Sequence, residues 1–191
     1  MKPFLKTSIR PGWALMLFLL TVSSTQADTV LSKDLLYVDS GAGALISAYD
    51  TSTLNVRWRT TLSGSVNIDG PLSVSADKEN VYVGFDADDG GGLAVLSAAT
   101  GEIFWIADLG TPVYSAPIVT KDYLYIGTQT GIWVLHKVDG SVLWVTSVGP
   151  VDSSPAVDKD SVYFSTSDSG VDILWKLSAD TGAILYAIEL N

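Results

Sequence analysis

Few side chains in this sequence have types and spacing that could do chemistry. Asp86-Ala87-Asp88-Asp89-Gly90-Gly91 gathers three carboxylates, the donor set a hard cation such as calcium takes. As an EF-hand loop it fails, because its fifth position is Gly90 and its twelfth is Ser97 rather than a bidentate glutamate. A solvated hairpin loop between Phe85 and Leu93 is the reading that remains, and Asp168-Ser169-Gly170-Val171-Asp172 falls at the corresponding place near the end of the chain. Ser75-Ala76-Asp77-Lys78 has the Ser-x-x-Lys spacing of penicillin-recognising enzymes without the motifs that accompany it. Gly41-Ala42-Gly43 follows an apolar run as a dinucleotide loop would, but Ile46 stands where the third glycine belongs and no helical pattern follows. His136, the one histidine, lies in an apolar run beside Leu135, and no nucleophile-elbow pattern accompanies it. No catalytic, cofactor-binding or metal-ligating residue is assigned, no cofactor is expected, and the non-enzymatic reading is preferred.

The elements that carry these residues begin after a distinct N-terminal stretch. Lys2, Lys6 and Arg10 precede an apolar run from Trp13 to Val22, and Thr25-Gln26-Ala27 offers a small-residue cleavage site, which together read as a signal peptide over residues 1–27. The run is shorter than the ~20 apolar residues of a spanning helix, so no membrane span is expected after cleavage, and the product is placed in the periplasm or outside the cell. From Asp28 onward there are eight basic and twenty-one acidic residues, a net charge of −13. An acidic chain without a basic cluster does not attract phosphate backbones or anionic lipid, and nucleic acid is excluded as a partner. Absence of cysteine removes disulfides, thiolate metal sites and covalent haem attachment.

Residues 28–191 are organised by a recurring stretch. Val95–Trp105 reads apolar run, polar turn, apolar run, with Thr100-Gly101 at positions six and seven and Trp105 at eleven. Ala48–Trp58 carries Thr53, Leu54 and Trp58 at these positions, Val134–Trp144 carries Asp139, Gly140 and Trp144, and Lys176–Tyr186 carries Thr181, Gly182 and Tyr186. Two antiparallel strands joined by a tight turn have this form, with glycine free to take positive φ and the preceding Thr or Asp able to bond turn backbone. A tyrosine-bearing strand precedes each copy, and Tyr37, Tyr82, Tyr125 and Tyr163 follow one another at 45, 43 and 38 residues. Proline-marked apolar segments at Pro71, Pro117 and Pro155 supply a further strand in three copies, and Thr29-Val30-Leu31 is the candidate in the first. Four short strands per ~40-residue repeat predict four blades near 28–62, 63–110, 111–149 and 150–191.

The Thr-Gly-x-x-x-Trp element of Thr100, Gly101 and Trp105, its variants in the other copies and the tyrosine strand resemble the PQQ-like β-propeller repeat. That family includes quinoprotein alcohol dehydrogenases and a propeller lipoprotein of the bacterial outer-membrane assembly machine. The resemblance implies an all-β propeller of about four four-stranded blades, either half of an eight-blade ring or a small ring of its own. It also implies that Trp58, Trp105 and Trp144 dock between neighbouring blades, with Tyr186, Thr100, Gly101, Asp139, Gly140, Thr181 and Gly182 as the further blade-docking positions. Family rings commonly have seven or eight blades, so the chain is expected to pair as a homodimer, to close as an unusual four-blade ring, or to be part of a longer product. The implied function is a non-enzymatic scaffold whose loops bind a protein partner, with envelope biogenesis as the setting. The alternative is a PQQ-dependent oxidoreductase or a fragment of one, although no quinoprotein motif can be carried onto this sequence.

Overall fold

The computed structural model describes residues 29–39, 45–62, 68–87 and 90–190. The expected signal peptide, the Gly41-Ala42-Gly43 stretch, and Asp88 and Asp89 lie outside the described residues. Among the described residues, sixteen strands form four antiparallel sheets, each a meander of four consecutive strands. The first sheet holds β1 (Thr29–Ser32), β2 (Leu35–Asp39), β3 (Leu45–Asp50) and β4 (Val56–Thr61). The second holds β5 (Ile68–Ala76), β6 (Asn80–Ala87), β7 (Gly90–Ser97) and β8 (Ile103–Asp108). In the third are β9 (Ile118–Val119), β10 (Tyr123–Thr128), β11 (Gly131–His136) and β12 (Val142–Ser147). The fourth comprises β13 (Ala156–Val157), β14 (Ser161–Asp168), β15 (Val171–Ser178) and β16 (Ile184–Glu189). This is the all-β propeller architecture with four four-stranded blades. β1 lies next to β5 and β5 next to β9, so the leading strands of neighbouring blades run beside one another.

The strand sequences explain why the blades stack. A β-strand turns alternate side chains to opposite faces, and the central blades need both faces apolar. Val81, Val83 and Phe85 of β6, with Ala94 and Leu96 of β7, join Tyr37, Ile46, Ala48 and Trp58 of the first blade in one buried cluster. Tyr82, Leu93 and Val95, the alternate residues of the same two strands, join Leu124, Ile126 and Leu135 of the third blade in another. The third blade then turns Tyr125, Ile132, Val134 and Trp144 toward Val162, Phe164 and Leu177 of the fourth. Three clusters thus occupy three interfaces. Among the described residues, none of them joins the first blade to the fourth.

Register is fixed in the same way in every blade. Each third-to-fourth strand pairing shifts once, at Ala48/Tyr49, Val95/Leu96, Val134/Leu135 and Lys176/Leu177, just before the turn. The shift is a β-bulge, which raises local twist. Pro71 stands within β5 at a break in its pairing with β6, whereas Pro117 and Pro155 immediately precede β9 and β13. In each case the missing N–H falls where the ladder does not need it.

Candidate functional site

Each blade ends its third strand in the same tight turn. Gly101 donates its N–H to Ser97 O at 2.8 Å, Gly140 to His136 O at 2.9 Å and Gly182 to Ser178 O at 2.9 Å, while Leu54 donates to Asp50 O at 2.8 Å. The residue before the glycine accepts from the residue after it: Glu102 N–H bonds Thr100 Oγ1 at 3.3 Å, Ser141 N–H bonds Asp139 Oδ1 at 3.0 Å, and Ala183 N–H bonds Thr181 Oγ1 at 3.3 Å. In the first blade Asp50 adds a carboxylate that accepts from the Ser52 hydroxyl and from the N–H and hydroxyl of Thr53, bonds that hold it down at about 2. His136 shares its turn with Asp139 and lies 5.2 Å, ring to ring, from Tyr123.

Against each glycine lies the ring of the aromatic from the blade before. A Cβ on Gly101 would stand 2.5 Å from Trp58 Cε3, one on Gly140 would stand 2.7 Å from Trp105 Cζ3, and one on Gly182 would stand 2.5 Å from Trp144 Cε3. All three glycines also sit at positive φ, 74°, 72° and 69°. Trp58 Nε1 donates to Ala98 O and Trp144 Nε1 to Ala179 O, both at 2.9 Å, so a buried indole dipole ends on a carbonyl of the next blade. Thr60 and Thr146 hydroxyls add bonds to Gly101 O and Gly182 O at 2.6 and 2.7 Å. Tyr186 occupies the same position in the last blade and is 65% exposed.

A polar network crosses the second interface. Asp77, in the turn after β5, accepts from Glu79 and Asn80 N–H at 2.8 Å each, from Tyr82 Oη at 2.9 Å and from Lys137 Nζ of the third blade at 2.6 Å. Burial pushes the Asp77 carboxyl up, but the ammonium and the other donors outweigh it and hold it below the ordinary carboxylate range. The same ion pair raises Lys137. Burial takes the Tyr82 phenol to about 12. Asp158 and Tyr163 repeat the carboxylate–phenol pair in the fourth blade at 3.0 Å, and Lys176 stands 5.5 Å from the Tyr163 ring centre. None of this resembles a base poised near neutrality.

Clefts open at two interfaces. One of about 460 Å³ between the first two blades is lined by Lys33, Arg57 and Lys78 with Asp34, and Arg57 already pairs with Asp50 at 3.2 Å. Another of about 260 Å³ between the next two is lined by Lys121, Lys137, Glu79 and Trp105. Lysines 33, 78, 121 and 159 all fall in the turn between the first and second strands of a blade, at one end of the sheets. The opposite end carries Asp86, Asp108, Asp152, Asp168 and Asp172, and its connections contain no lysine or arginine. No group of three or more His, Asp or Glu side chains is close enough to hold a metal ion among the described residues. Asp168 accepts from the Ser169 hydroxyl at 3.0 Å, within its own turn.

Trp133 and Trp175 occupy equivalent positions with different surroundings. Trp175 Nε1 donates to Thr166 Oγ1 at 2.9 Å and its ring stacks on Phe164 at 6.5 Å. Trp133 packs against the second-to-third interface with its Nε1 buried and unpartnered. Sequence reasoning had no signal for the Lys137–Asp77 pair, whose partners are sixty residues apart.

A PQQ-repeat family model, described as outer membrane protein assembly factor BamB, matches residues 89–190. The fold is similar to that of BamB from Moraxella catarrhalis, at 20% identity and a TM-score of 0.67 over 84% of this chain and 47% of that one. Quinohemoprotein alcohol dehydrogenase from Comamonas testosteroni is similar at 20% identity and a TM-score of 0.69, over 86% of this chain and 35% of that one. Sqt1 from Saccharomyces cerevisiae gives 17% identity and 0.66, over 80% and 43%. The chain spans less than half the length of each of these structures. No curated protein sequence matches it.

Proposed function

We propose, on the premise that the chain belongs to the PQQ-repeat family described as outer membrane protein assembly factor BamB, that it is an exported propeller scaffold which holds a protein partner through its loops and catalyses no reaction. The setting is envelope biogenesis, and outer-membrane protein assembly in particular. One observation carries this reading. The buried apolar side chains gather in three shared clusters, whereas one end of the blades carries Asp86, Asp108, Asp152, Asp168 and Asp172 and its connections contain no lysine or arginine. Such an end favours a partner surface rich in lysine and arginine, through a field that salt screens. We place the partner contacts on these loops and any pairing of two copies on the sheet faces. The described residues contain no helix long and apolar enough to cross a membrane.

The test is removal of the gene from its host, with outer-membrane protein abundance as the readout. Abundance should fall, return with the wild-type gene, and fail to return with a chain in which Asp86 and Asp168 are both replaced by lysine but which keeps its β-sheet circular dichroism. Unchanged abundance on deletion would end the assembly reading. Export is checked by N-terminal sequencing of the mature product, expected at or near Asp28.

The likeness to quinohemoprotein alcohol dehydrogenase motivates a second reading, a PQQ-dependent oxidoreductase or a fragment of one. The described residues offer no carboxylate cluster for an accompanying calcium ion. Dye-linked alcohol oxidation after reconstitution with PQQ and calcium would establish this reading against the first.

A further inference from the structure

The turn between the first two strands repeats a lysine and a carboxylate in every blade, as Lys33-Asp34, Lys78-Glu79, Lys121-Asp122 and Lys159-Asp160. The carbonyl of each acidic residue accepts an N–H from the turn after the third strand: Thr51 bonds Asp34 O, Ala98 bonds Glu79 O, Lys137 bonds Asp122 O and Ala179 bonds Asp160 O. The four blade ends therefore correspond residue for residue, and the clefts at the first two interfaces can be compared position by position. At the second interface Lys137 crosses to Asp77 at 2.6 Å, Phe104 and Val138 stand beside it, and a cleft of about 260 Å³ is left. At the first, Ala98 and Ala99 hold the positions of Lys137 and Val138, Ser32 holds that of Asp77, and Arg57 that of Phe104. The cleft there is about 460 Å³.

Both members of the ion pair that fills the second cleft are missing from the first, and cations collect in their place. Lys33, Arg57 and Lys78 line it, all three exposed, and Asp34 is the one carboxylate among its described lining residues. Arg57 gives one nitrogen to Asp50 at 3.2 Å, but its side chain is 59% exposed and a guanidinium has five donors. The turn that carries Lys33 also departs from the other three. Asp77, Thr120 and Asp158 accept from the backbone N–H of Asn80, Tyr123 and Ser161 and so cap their turns, whereas the Ser32 hydroxyl donates across the interface to Asp77 O at 2.9 Å. Lys33 stands at φ 56°, and its three counterparts do not take positive φ. The first blade thus holds a lysine on a left-handed backbone that a glycine would adopt without strain. The cleft lies between two blades of the chain, which wall it on both sides, and Leu35, Tyr37, Ala98 and Ala99 give it an apolar lining between the cations.

We propose that this cleft binds an extended acidic segment of a partner protein, with aspartate or glutamate side chains of the segment paired to Arg57, Lys33 and Lys78. Lys33 stands in the turn between β1 and β2 and Arg57 on β4, so their backbones are two to three strand spacings apart, on the order of 12 Å. One small anion cannot sit on both backbones' side chains at full extension and on Lys78 as well, whereas same-face side chains of an extended segment recur every ~7 Å and reach ~13 Å in two repeats. The volume falls within the range of about 300–1,000 Å³ found for ligand clefts. Because the chain from Asp28 carries a net charge of −13, its long-range field does not draw an anion in, and the affinity rests on the pairs made inside the cleft. The site lies at the end of the blades opposite Asp86 and Asp168, and it stands or falls independently of the assembly reading.

The experiment is fluorescence anisotropy at low ionic strength with the full chain and a rhodamine-labelled octapeptide of alternating glutamate and threonine. Saturable binding is expected, and the same peptide with glutamine in place of glutamate should not bind. Arg57→Gln and Lys78→Gln should each raise Kd by roughly twofold to fivefold. Lys159→Gln, at the corresponding turn of the fourth blade, should leave it unchanged. Ser32→Asp combined with Ala98→Lys installs the ion pair of the second interface, fills the cleft and leaves the net charge as it was. That chain should keep its β-sheet circular dichroism and lose the peptide. No saturable binding, equal binding of the glutamine peptide, indifference to both Arg57→Gln and Lys78→Gln, or binding retained by the folded double variant would each overturn the proposal. Free glutarate competing as well as the peptide would also overturn it, in favour of a small dicarboxylate.

Discussion

Trp144 shows how one residue ties two blades. Its ring lies on Gly182, its Nε1 donates to Ala179 O, and Tyr125 stands 6.4 Å away edge-on within its own blade. Trp144→Ala should therefore destabilise the chain by about 3–5 kcal/mol in denaturant unfolding, the range for a large aromatic removed from a core. Gly182→Ala attacks the same contact from the other side, since the added methyl meets the ring at 2.5 Å on a left-handed backbone. A loss of about 1–3 kcal/mol is expected. The Asp77–Lys137 pair invites a pH test with a definite sign. Asp77 is lowered in the folded chain, so its contribution is full above the ordinary carboxylate pKa of about 3.9 and is lost as pH falls through the lower folded value. Lys137 is raised, so its share is full below about 10.4 and is lost as pH rises through the folded value. Lys137→Met should cost about 1 kcal/mol near neutral pH, a value reduced by the solvent that reaches the pair, and the difference from wild type should shrink at both extremes of pH.

At the scale of the element, the strands and turns were legible, whereas the acceptors between blades were not. The apolar runs on either side of each turn and the tyrosine-bearing run before them read as strands, and the recurrence of a turn five residues before an aromatic set the period. The acceptors Ala98 O and Ala179 O left no trace in the sequence, because a backbone carbonyl has no side-chain signature. The bulge before each turn was equally silent, since it inserts a residue without requiring a particular type. Lys137, in the turn between β11 and β12, meets an Asp77 sixty residues away, a separation that gives the pair no local signature. The difference between two-sided and one-sided strands has a measurable consequence. Leu96 of β7 is fully buried and Ile188 of β16 is 53% exposed. Leu96→Ala should cost about 2–5 kcal/mol. Ile188→Ala should cost under about 1 kcal/mol, and native-state hydrogen exchange should be slower in β7 than in β16.

At the scale of the whole molecule, cohesion among the described residues passes between neighbouring blades. Each cluster is shared by two blades, so stability should approximate a sum of blade terms and interface terms, as in other repeat stacks. This makes the value of a docking residue conditional on the blade it docks to. Ending the chain at Val148 removes β13–β16 and with them Ala179 O, Gly182, Val162 and Leu177, the partners of Trp144. The shortened chain should expose Tyr125, Ile132, Val134 and Trp144 on one open face, bind a hydrophobic dye and self-associate. In that background Trp144→Ala should cost less than about 1 kcal/mol, against about 3–5 in the longer chain, because the interaction energy of residue and blade disappears when either is missing. Trp58→Ala serves as the internal control, since its partners Ala98 O and Gly101 remain in the shortened chain. Its cost should be unchanged. If truncation lowered the cost of both substitutions equally, the blades would be coupled through the whole stack, and nearest-neighbour packing would not describe the molecule.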